Sequence, residues 1–124
     1  MYLIDTNILI YAFLKKEPYS SLFIEWVGKK QLVLSIIPVC EFLVGASRQD
    51  AVRLDVLIEN IGIQDIDYLV AKQAAEYRKQ YKRKIKALYL LDCLLAATAK
   101  VYGHTLVTKN SKDFPMRDIK IINP

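Results

Sequence analysis

The chain has 124 residues, of which 53% are hydrophobic and 25% charged, and this composition fits one globular domain, residues 1–124, with a single core. The apolar run 32–44 is interrupted by Pro38 and Glu41, so it falls short of the ~18 uninterrupted apolar residues that a membrane span needs. The formal net charge of +5 favours an anionic partner, and because the start lacks the basic region and cleavage site of a signal peptide, we expect a soluble, cytoplasmic protein with no membrane partner.

The first segment changes its hydrophobic period at a carboxylate. Residues 2–4 form an apolar run long enough for a strand, and Asp5, Thr6 and Asn7 are able to cap the helix that follows. That helix carries the apolar residues Ile8, Leu9, Ala12 and Phe13. Because open α/β folds bind ligands at the carboxyl ends of their strands, Asp5 would lie in a cleft. On this stretch alone, a role for Asp5 as a helix cap and nothing more is equally compatible.

Apolar strand patterns alternate with helical patterns along the rest of the chain, without an internal repeat, a low-complexity segment or a Pro/Gly-rich linker. Helices are predicted from Pro18 to about Gly28, from Pro38 to Gly45, and over 51–61, 68–84 and 88–101. Strands are predicted over 2–4, 31–37, 61–66, 105–108 and 119–122. This alternation predicts a single α/β domain built on a parallel sheet.

Three side chains with reactive chemistry are interpreted as structural. The cysteines Cys40 and Cys93 lie far apart in apolar surroundings and form no metal-ligand spacing, which favours buried, reduced thiols. His104 is the sole histidine and follows Gly103 at the predicted turn between a helix and a strand. We interpret His104 as a turn residue and not as a catalyst.

A basic segment spans residues 72–86, where Glu76 is the single acid. Its basic residues are Lys72, Arg78, Lys79, Lys82, Arg83, Lys84 and Lys86. Tyr77 and Tyr81 interleave with them, which would suit base stacking beside phosphate contacts. The alternative is that both rings belong to an apolar stripe facing the core, together with Val70, Ala74, Ile85 and Leu88. We favour the core for the rings and a solvated face for the charges, with Arg78, Lys82 and the later Lys109 as candidate nucleic-acid contacts.

Two acids, Glu41 and Asp92, are each the only charge in an apolar stretch, 36–44 and 88–97 respectively. A buried, ionised carboxylate without a partner costs several kcal/mol. One such acid is explained by a lysine or arginine beside it. Two of them, together with Asp5 at a strand end, favour a shared metal site over separate structural ion pairs.

The segment after the predicted strand 105–108 adds further oxygen ligands. Thr108, Asn110 and Asp113 supply hydroxyl, amide and carboxylate groups at another strand end, although an ordinary loop explains these residue types equally well. Oxygen ligands suit Mg²⁺ or Mn²⁺, which supports phosphodiester hydrolysis by acidifying a bound water. Repulsion among clustered acids raises their pKa values until a cation binds.

Four short segments together resemble the PIN-domain nucleases, and more closely the VapC-like toxins of type II toxin–antitoxin pairs. They are LIDTNILI at 3–10, EFLVG at 41–45, DCLLAATA at 92–99 and TKNSKDF at 108–114. Each is weak alone, but their order and spacing over essentially the full length are specific. The resemblance implies a Rossmann-like three-layer α/β/α sandwich with a mostly parallel sheet, and Mg²⁺- or Mn²⁺-dependent endoribonuclease activity. It also implies homodimers and a small VapB-like antitoxin whose tail occupies the active-site groove.

The resemblance assigns the acids by position. Asp5, Glu41 and Asp92 look like the first three acids of the PIN site, with Asp5 and Asp92 as direct metal ligands. Many relatives carry an acid two residues after the threonine, where this chain has Asn110. We therefore assign the fourth acid to Asp113, with Asn110 in support.

Further residues are assigned in the same way. Thr6 and Thr108 look like hydroxyls that orient the acids. Pro38 departs from the threonine that relatives often carry before Glu41, which we expect to affect helix entry and not chemistry. The sequence thus predicts a metal-dependent ribonuclease, and the alternative is a non-catalytic PIN-like nucleic-acid-binding or regulatory module. A phosphatase with an aspartyl nucleophile is disfavoured, because such enzymes usually need a second acid where this chain has Asn7.

Overall fold

A parallel four-stranded sheet lies at the centre of the computed structural model, which describes residues 1–82 and 88–124. The strand order is β2 (Leu32–Val33), β1 (Tyr2–Ile4), β3 (Thr105–Val107) and β4 (Ile121–Ile122). All three neighbouring pairs are parallel. Strands of a parallel sheet covered on both faces are almost wholly apolar, as β1 and β3 are here. Their central position brings the first residues of the chain next to residues 105–107.

Six helices are present in the described residues. They are α1 (Thr6–Phe13), α2 (Tyr19–Gly28), α3 (Ile36–Gly45), α4 (Arg48–Ile61), α5 (Tyr68–Tyr81) and α6 (Leu90–Tyr102). A 3₁₀ turn, Ser111–Asp113, lies between β3 and β4. Within residues 1–82 and 88–124, no helix combines the length and the hydropathy that crossing a bilayer requires.

The helices cover both faces of the sheet, because side chains of each strand alternate between them. Leu3 and Leu106 pack on one face in a core shared with α5 and α6. Ile4 and Val107 pack on the other face in a core shared with the first four helices. The chain therefore forms a three-layer α/β/α sandwich, and the predicted fold class is confirmed.

Helix caps explain where the predicted boundaries of α3 and α4 were wrong. The Ser35 hydroxyl accepts a hydrogen bond from the Ile37 amide at 3.3 Å, so α3 begins at Ile36 and Pro38 is its third residue instead of its first. The same cap shortens the predicted strand 31–37 to two residues. Ser47 accepts from the Asp50 amide at 3.1 Å and starts α4 three residues before the predicted Ala51.

Other predicted elements are shorter than expected. The predicted strand 61–66 is reduced to a single parallel bridge between Ser35 and Gln64. The last strand contains two residues instead of four. α6 begins at Leu90 and not at Leu88, because Tyr89 keeps an extended backbone with ψ of 146°. Helix α5 is described as far as Tyr81, and the predicted extension to Lys84 lies outside the described residues, as do Arg83, Ile85 and Lys86.

The apolar stripe of α5 faces the core as favoured from the sequence. Tyr77 is 1% exposed and Tyr81 is also buried, next to Val70 and Ala74. The Tyr77 hydroxyl donates to Asp118 Oδ1 at 2.7 Å, which ties α5 to the segment before β4. Lys100 of α6 lies 3.5 Å from the other oxygen of Asp118. This network connects the helical layer to the segment that follows the 3₁₀ turn.

The prediction for the cysteines is half right. Cys93 is buried, but Cys40 is exposed. Helical geometry explains the difference, because Val39 and Phe42 of α3 face the core while Cys40, Leu43 and Val44 lie on its outer side. An apolar neighbourhood in the sequence does not bury every member of a helix.

The substitution Tyr77→Phe tests the tie between α5 and Asp118. Removal of the hydroxyl deletes one hydrogen bond to a charged acceptor and leaves the ring packed, so the free energy of unfolding should fall by about 1–2 kcal/mol. Urea denaturation measures this change. Tyr68→Phe is the matched control, since Tyr68 is 74% exposed and should change stability by less than about 0.5 kcal/mol. Equal stability of the two variants would contradict the prediction.

Candidate active site

Asp5 lies where the two central strands end. It follows β1 directly, and its amide donates to the Val107 carbonyl of β3 at 2.9 Å. Asp5 Oδ1 accepts from the Thr6 amide at 2.7 Å, and Oδ2 accepts from the Thr108 hydroxyl at 2.8 Å. Both interpretations of Asp5 are therefore correct together: one oxygen caps α1, while the carboxylate also lines a cleft at the strand ends.

Glu41 reaches the same region from α3, the helix that follows β2. Its Oε1 accepts from the Thr6 hydroxyl at 2.8 Å, so Thr6 connects Asp5, through its amide, to Glu41, through its side chain. Glu41 is exposed, which corrects the expectation of a carboxylate buried among apolar neighbours. Those neighbours include Leu43 and Val44, which themselves face solvent.

Two further acids complete the cleft. Asp92 lies in the first turn of α6 and Asp113 in the 3₁₀ turn after β3. The cleft has a volume of about 280 Å³ and is lined by Asp5, Thr6, Asn7, Ile10, Glu41, Asp92, Asn110, Asp113 and Phe114. The four acids singled out from the sequence thus face one cleft from four separate segments. Their catalytic roles stay a prediction.

The pKa of an acid in the cleft is raised, as expected for clustered carboxylates without a cation. Burial, followed by the negative charges of Asp5, Asp113 and Glu41, raises the pKa of Asp92 to about 6. A first-turn position favours an ionised carboxylate through the helix dipole, by roughly 0.3–1 kcal/mol, so burial and repulsion outweigh the helix here.

Asp5 balances opposing effects. Burial raises its pKa, the hydrogen bonds from Thr108 and Thr6 lower it, and the charges of Glu41 and Asp113 raise it again, with a net increase. The two hydrogen bonds stabilise the ionised form that a metal would need. Asp5 is therefore held in one orientation, while burial and repulsion from Glu41 and Asp113 disfavour its ionised form.

The donor set fits a small, hard cation. Among the described residues, every charged group that lines the cleft is a carboxylate, and Thr6, Asn7 and Asn110 add neutral oxygens. In the described parts of the chain, no three acidic, histidine or cysteine side chains are close enough together to enclose an ion by themselves. Mg²⁺ keeps several waters and is usually held by one or two carboxylates. Asp5 and Asp92, the lining acids whose pKa values are raised, suit that kind of binding.

Thr108 and Asn110, in the segment after β3, support Asp5 through hydrogen bonds and bring no charge of their own. Thr108 is fully buried, and its hydroxyl oxygen accepts from the Asn110 amide at 3.0 Å while donating to Asp5. Lys109, between them, holds its ammonium 4.9 Å from the ring centre of Tyr11 and 5.3 Å from that of Tyr19. Neither Lys109 nor the other predicted nucleic-acid contacts line the cleft: Arg78 is half-buried on α5, and Lys82 is exposed at its end.

Sequence reasoning missed one polar residue of the cleft, Asn7. Its side-chain oxygen accepts from the Lys109 amide at 3.2 Å and its side chain lines the cleft with Ile10 and Phe114. The available signal was its position in the first turn of a helix that starts at a strand end. From the sequence, Asn7 was interpreted only as a helix cap and as a replacement for an acid.

A larger cleft of about 580 Å³ lies elsewhere, between α1, α2 and α4. It is lined mainly by apolar side chains such as Phe13, Phe23 and Leu57, and Glu17 is its only acid. One acid cannot provide the carboxylate chemistry of the smaller cleft. Size therefore does not identify the candidate active site, whereas its titratable groups do.

Comparison with known proteins identifies the family. The PIN-domain family model matches residues 2–120. The chain belongs to the PIN-domain family. Among its relatives, Ribonuclease VapC2 of Rickettsia felis is 30% identical over 123 residues, which cover 92% of this chain and 90% of the relative. Ribonuclease VapC10 of Mycobacterium tuberculosis is 28% identical over 85 residues, or 68% of this chain and 64% of the relative. These matches place this PIN domain with the VapC proteins.

Solved structures agree in fold. A chain of VapBC2 from Rickettsia felis, crystallised with a DNA fragment from their promoter, superposes with a TM-score of 0.83 at 25% identity and covers 99% of this PIN domain and 98% of that chain. A chain of a toxin–antitoxin complex from Klebsiella pneumoniae superposes with a TM-score of 0.81 at 28% identity, covering 100% and 98%. The similarity extends over the whole PIN domain.

Asp92→Asn tests the charge repulsion in the cleft. Because the folded pKa of Asp92, about 6, lies above its usual 3.8, the folded state binds the proton more tightly, and stability falls as pH rises through this interval. Without metal, the variant should be more stable than the wild type near pH 8 by about 1–2 kcal/mol, allowing for solvent screening, and the gain should disappear near pH 4.

Urea denaturation at the two pH values, with chelator present, measures the gain. Asp55→Asn, at an exposed position on α4, removes the same charge far from the cleft and should show no such pH-dependent gain. A gain for Asp92→Asn that is independent of pH, or a loss of stability near pH 8, would refute the repulsion.

Proposed function

We propose that this PIN domain is a metal-dependent endoribonuclease of the VapC type, which hydrolyses phosphodiester bonds in single-stranded or looped RNA. The observation that carries the proposal is the convergence of Asp5, Glu41, Asp92 and Asp113 on one cleft at the strand ends. Names of relatives at about 30% identity, Ribonuclease VapC2 and Ribonuclease VapC10, support the substrate class. Mg²⁺ or Mn²⁺ is the proposed cofactor.

The proposed ligands of the ion are Asp5 and Asp92. When bound, the ion supplies an acidified water and stabilises the charge that develops on the phosphate. Asp5 is already held by Thr108 and by the Thr6 amide, so binding does not require its carboxylate to be reoriented. Burial, and after it repulsion from the neighbouring acids, raises the pKa of Asp92. A cation would relieve that repulsion, which favours cation binding in this cleft.

Glu41 is the proposed acceptor of the proton from the attacking water. Thr6 donates to its Oε1, which fixes the carboxylate and leaves Oε2 as an acceptor toward the cleft that Glu41 lines. Asp113 contributes the fourth charge, and Asn110 supplies an amide beside it that can orient a water or a phosphate oxygen. Thr6 and Thr108 orient the acids and do not themselves react.

Basic residues outside the cleft are the proposed contacts to the RNA backbone. Lys82 is exposed at the end of α5, and Arg78 lies one turn before it. Lys109 is next to Thr108 and is held over two rings, which places a fixed positive charge near the strand ends. Phosphate contacts of this kind raise affinity without specifying sequence.

A small VapB-like antitoxin is the proposed protein partner, and the cytoplasm is the proposed location. Support for the partner comes from matching structures that include VapBC2 from Rickettsia felis, a toxin–antitoxin complex from Klebsiella pneumoniae and FitAcB from Neisseria gonorrhoeae. Residues 1–124 are proposed to act as one domain. A homodimer is also proposed, with the exposed apolar side chains of α3 and α4 as its surface: Leu43, Val44, Val52 and Val56.

An RNA cleavage assay tests the proposed activity. Labelled single-stranded RNA should be cut with Mn²⁺ or Mg²⁺, and chelator should abolish cutting. Asp5→Asn should lower the rate by at least about 100-fold, because it removes a charged ligand of the ion. Asp55→Asn, exposed on α4, should cut like the wild type.

The same assay separates the two classes of function. RNA binding without any cutting by the wild type would favour a non-catalytic nucleic-acid-binding module. Cutting that survives chelator or the Asp5→Asn substitution would contradict the metal-dependent mechanism, whatever the sequence of the RNA.

Val44→Lys tests the proposed dimer surface. Val44 is 87% exposed, so a lysine there costs the isolated protomer little, whereas burying its charge at an apolar interface is unfavourable. Light scattering after size-exclusion chromatography should show a dimer for the wild type and a monomer for the variant. Ile24→Lys on α2, at a site 68% exposed, is the matched control and should remain dimeric. A monomeric wild type, or a dimeric Val44→Lys variant, would contradict the prediction.

A further inference from the structure

The backbone of Lys109 is held at both its amide and its carbonyl by asparagine side chains. Asn7 Oδ1 accepts from the Lys109 amide at 3.2 Å, and Asn123 Nδ2 donates to the Lys109 carbonyl at 3.0 Å. Asn7 belongs to the first turn of α1, and Asn123 directly follows β4. Two elements distant in the sequence thus fix one residue of the segment that follows β3.

The residues on either side of Lys109 belong to the support of Asp5. Thr108 donates its hydroxyl proton to Asp5 Oδ2 at 2.8 Å, and the same oxygen accepts from the Asn110 amide at 3.0 Å. A hydroxyl has one proton, so Thr108 reaches Asp5 only while its side chain keeps this orientation. Lys109 lies between Thr108 and Asn110 in the chain, so a rotation of its backbone would displace both of these residues.

The side chain of Lys109 also makes contacts with α1 and α2. Its ammonium lies over the rings of Tyr11 and Tyr19. The Tyr19 hydroxyl donates to the Pro124 carbonyl at 3.4 Å, next to Asn123. Residues 123 and 124 therefore contact both the Lys109 carbonyl and a ring beneath its ammonium.

We propose that Asn7 and Asn123 are positioning residues, which clamp the backbone of Lys109 at its amide and its carbonyl and thereby hold the Thr108 hydroxyl against Asp5 for metal binding and RNA cleavage. This inference rests on the proposed function. Asn123 is the informative member of the pair, because it is not among the described residues that line the cleft and its side chain donates to the Lys109 carbonyl. Asn123 is also exposed, so the loss of this hydrogen bond should affect the geometry of the site more than global stability.

The decisive variant is Asn123→Asp, which keeps the shape of the side chain but removes the donor. We expect kcat to fall about 10-fold with KM unchanged within about twofold, since loss of a group that orients a ligand typically costs 10–100-fold. Asn123→Gln restores an amide donor and should recover at least part of kcat. Asn60→Asp is the matched control: it also removes an exposed amide that donates to a backbone carbonyl, that of Val56, and adds the same charge.

Two measurements test the clamp without RNA. Calorimetric titration should show Mn²⁺ binding about 10-fold weaker in Asn123→Asp than in the wild type and in the Asn60→Asp control. Hydrogen exchange followed by NMR should show faster exchange of the Asn110 amide in Asn123→Asp. Asn7→Leu, which removes the acceptor for the Lys109 amide, should also accelerate the exchange of the Asn110 amide.

The outcomes separate the two proposals. The clamp would be overturned if Asn123→Asp kept the wild-type kcat and the wild-type exchange rate of the Asn110 amide. It would also be overturned if Asn123→Gln recovered no activity, or if Asn60→Asp lost as much activity as Asn123→Asp. If the wild type cuts no RNA, the proposed function fails while the exchange of the Asn110 amide still decides the clamp. If Asn123→Asp does not fold, Asn7→Leu supplies the same test from the other side.

Discussion

The site depends on the two hydrogen bonds that hold Asp5. Its carboxylate lies where β1 passes into α1, partly buried and close to other acids, which is an unfavourable place for a negative charge. The Thr6 amide and the Thr108 hydroxyl offset part of that cost by binding one oxygen each. The neighbouring acids then surround a carboxylate whose position is already fixed, so the cleft combines fixed geometry with unrelieved repulsion.

The fold was largely predictable because its signals are local. The patterns at 2–4 and 105–108 predict strands, and the stripe of Val70, Ala74 and Tyr77 predicts the buried face of α5. Errors arose where a short-range hydrogen bond decides the boundary. The Ser35 hydroxyl ends the second strand early and starts α3 before Pro38, and a preference for Pro at the first helical position pointed to the wrong residue.

The site was predictable in composition and less so in environment. Asp5, Glu41, Asp92 and Asp113 were selected by their sequence surroundings and by resemblance, and they line one cleft. The exposure of Glu41 was not predictable, because it depends on which side of α3 meets the sheet. The hydrogen bonds of Asn7 with the Lys109 amide and of Asn123 with the Lys109 carbonyl were missed for a related reason. They join residues far apart in the chain, and hydrophobic periodicity carries no information about such pairs.

The register of the sheet has a consequence for synthesis of the chain. Tyr2 pairs with Thr105 and Ile4 with Val107, so the two central strands, β1 and β3, are separated by about 100 residues in the sequence and cannot pair until β3 has been synthesised. Loop closure over such a separation makes this contact slow and late in folding. On the ribosome, the Asp5 side chain has no Thr108 beside it until residue 108 has been translated. A nascent chain that stops before residue 108 therefore lacks the assembled carboxylate cleft.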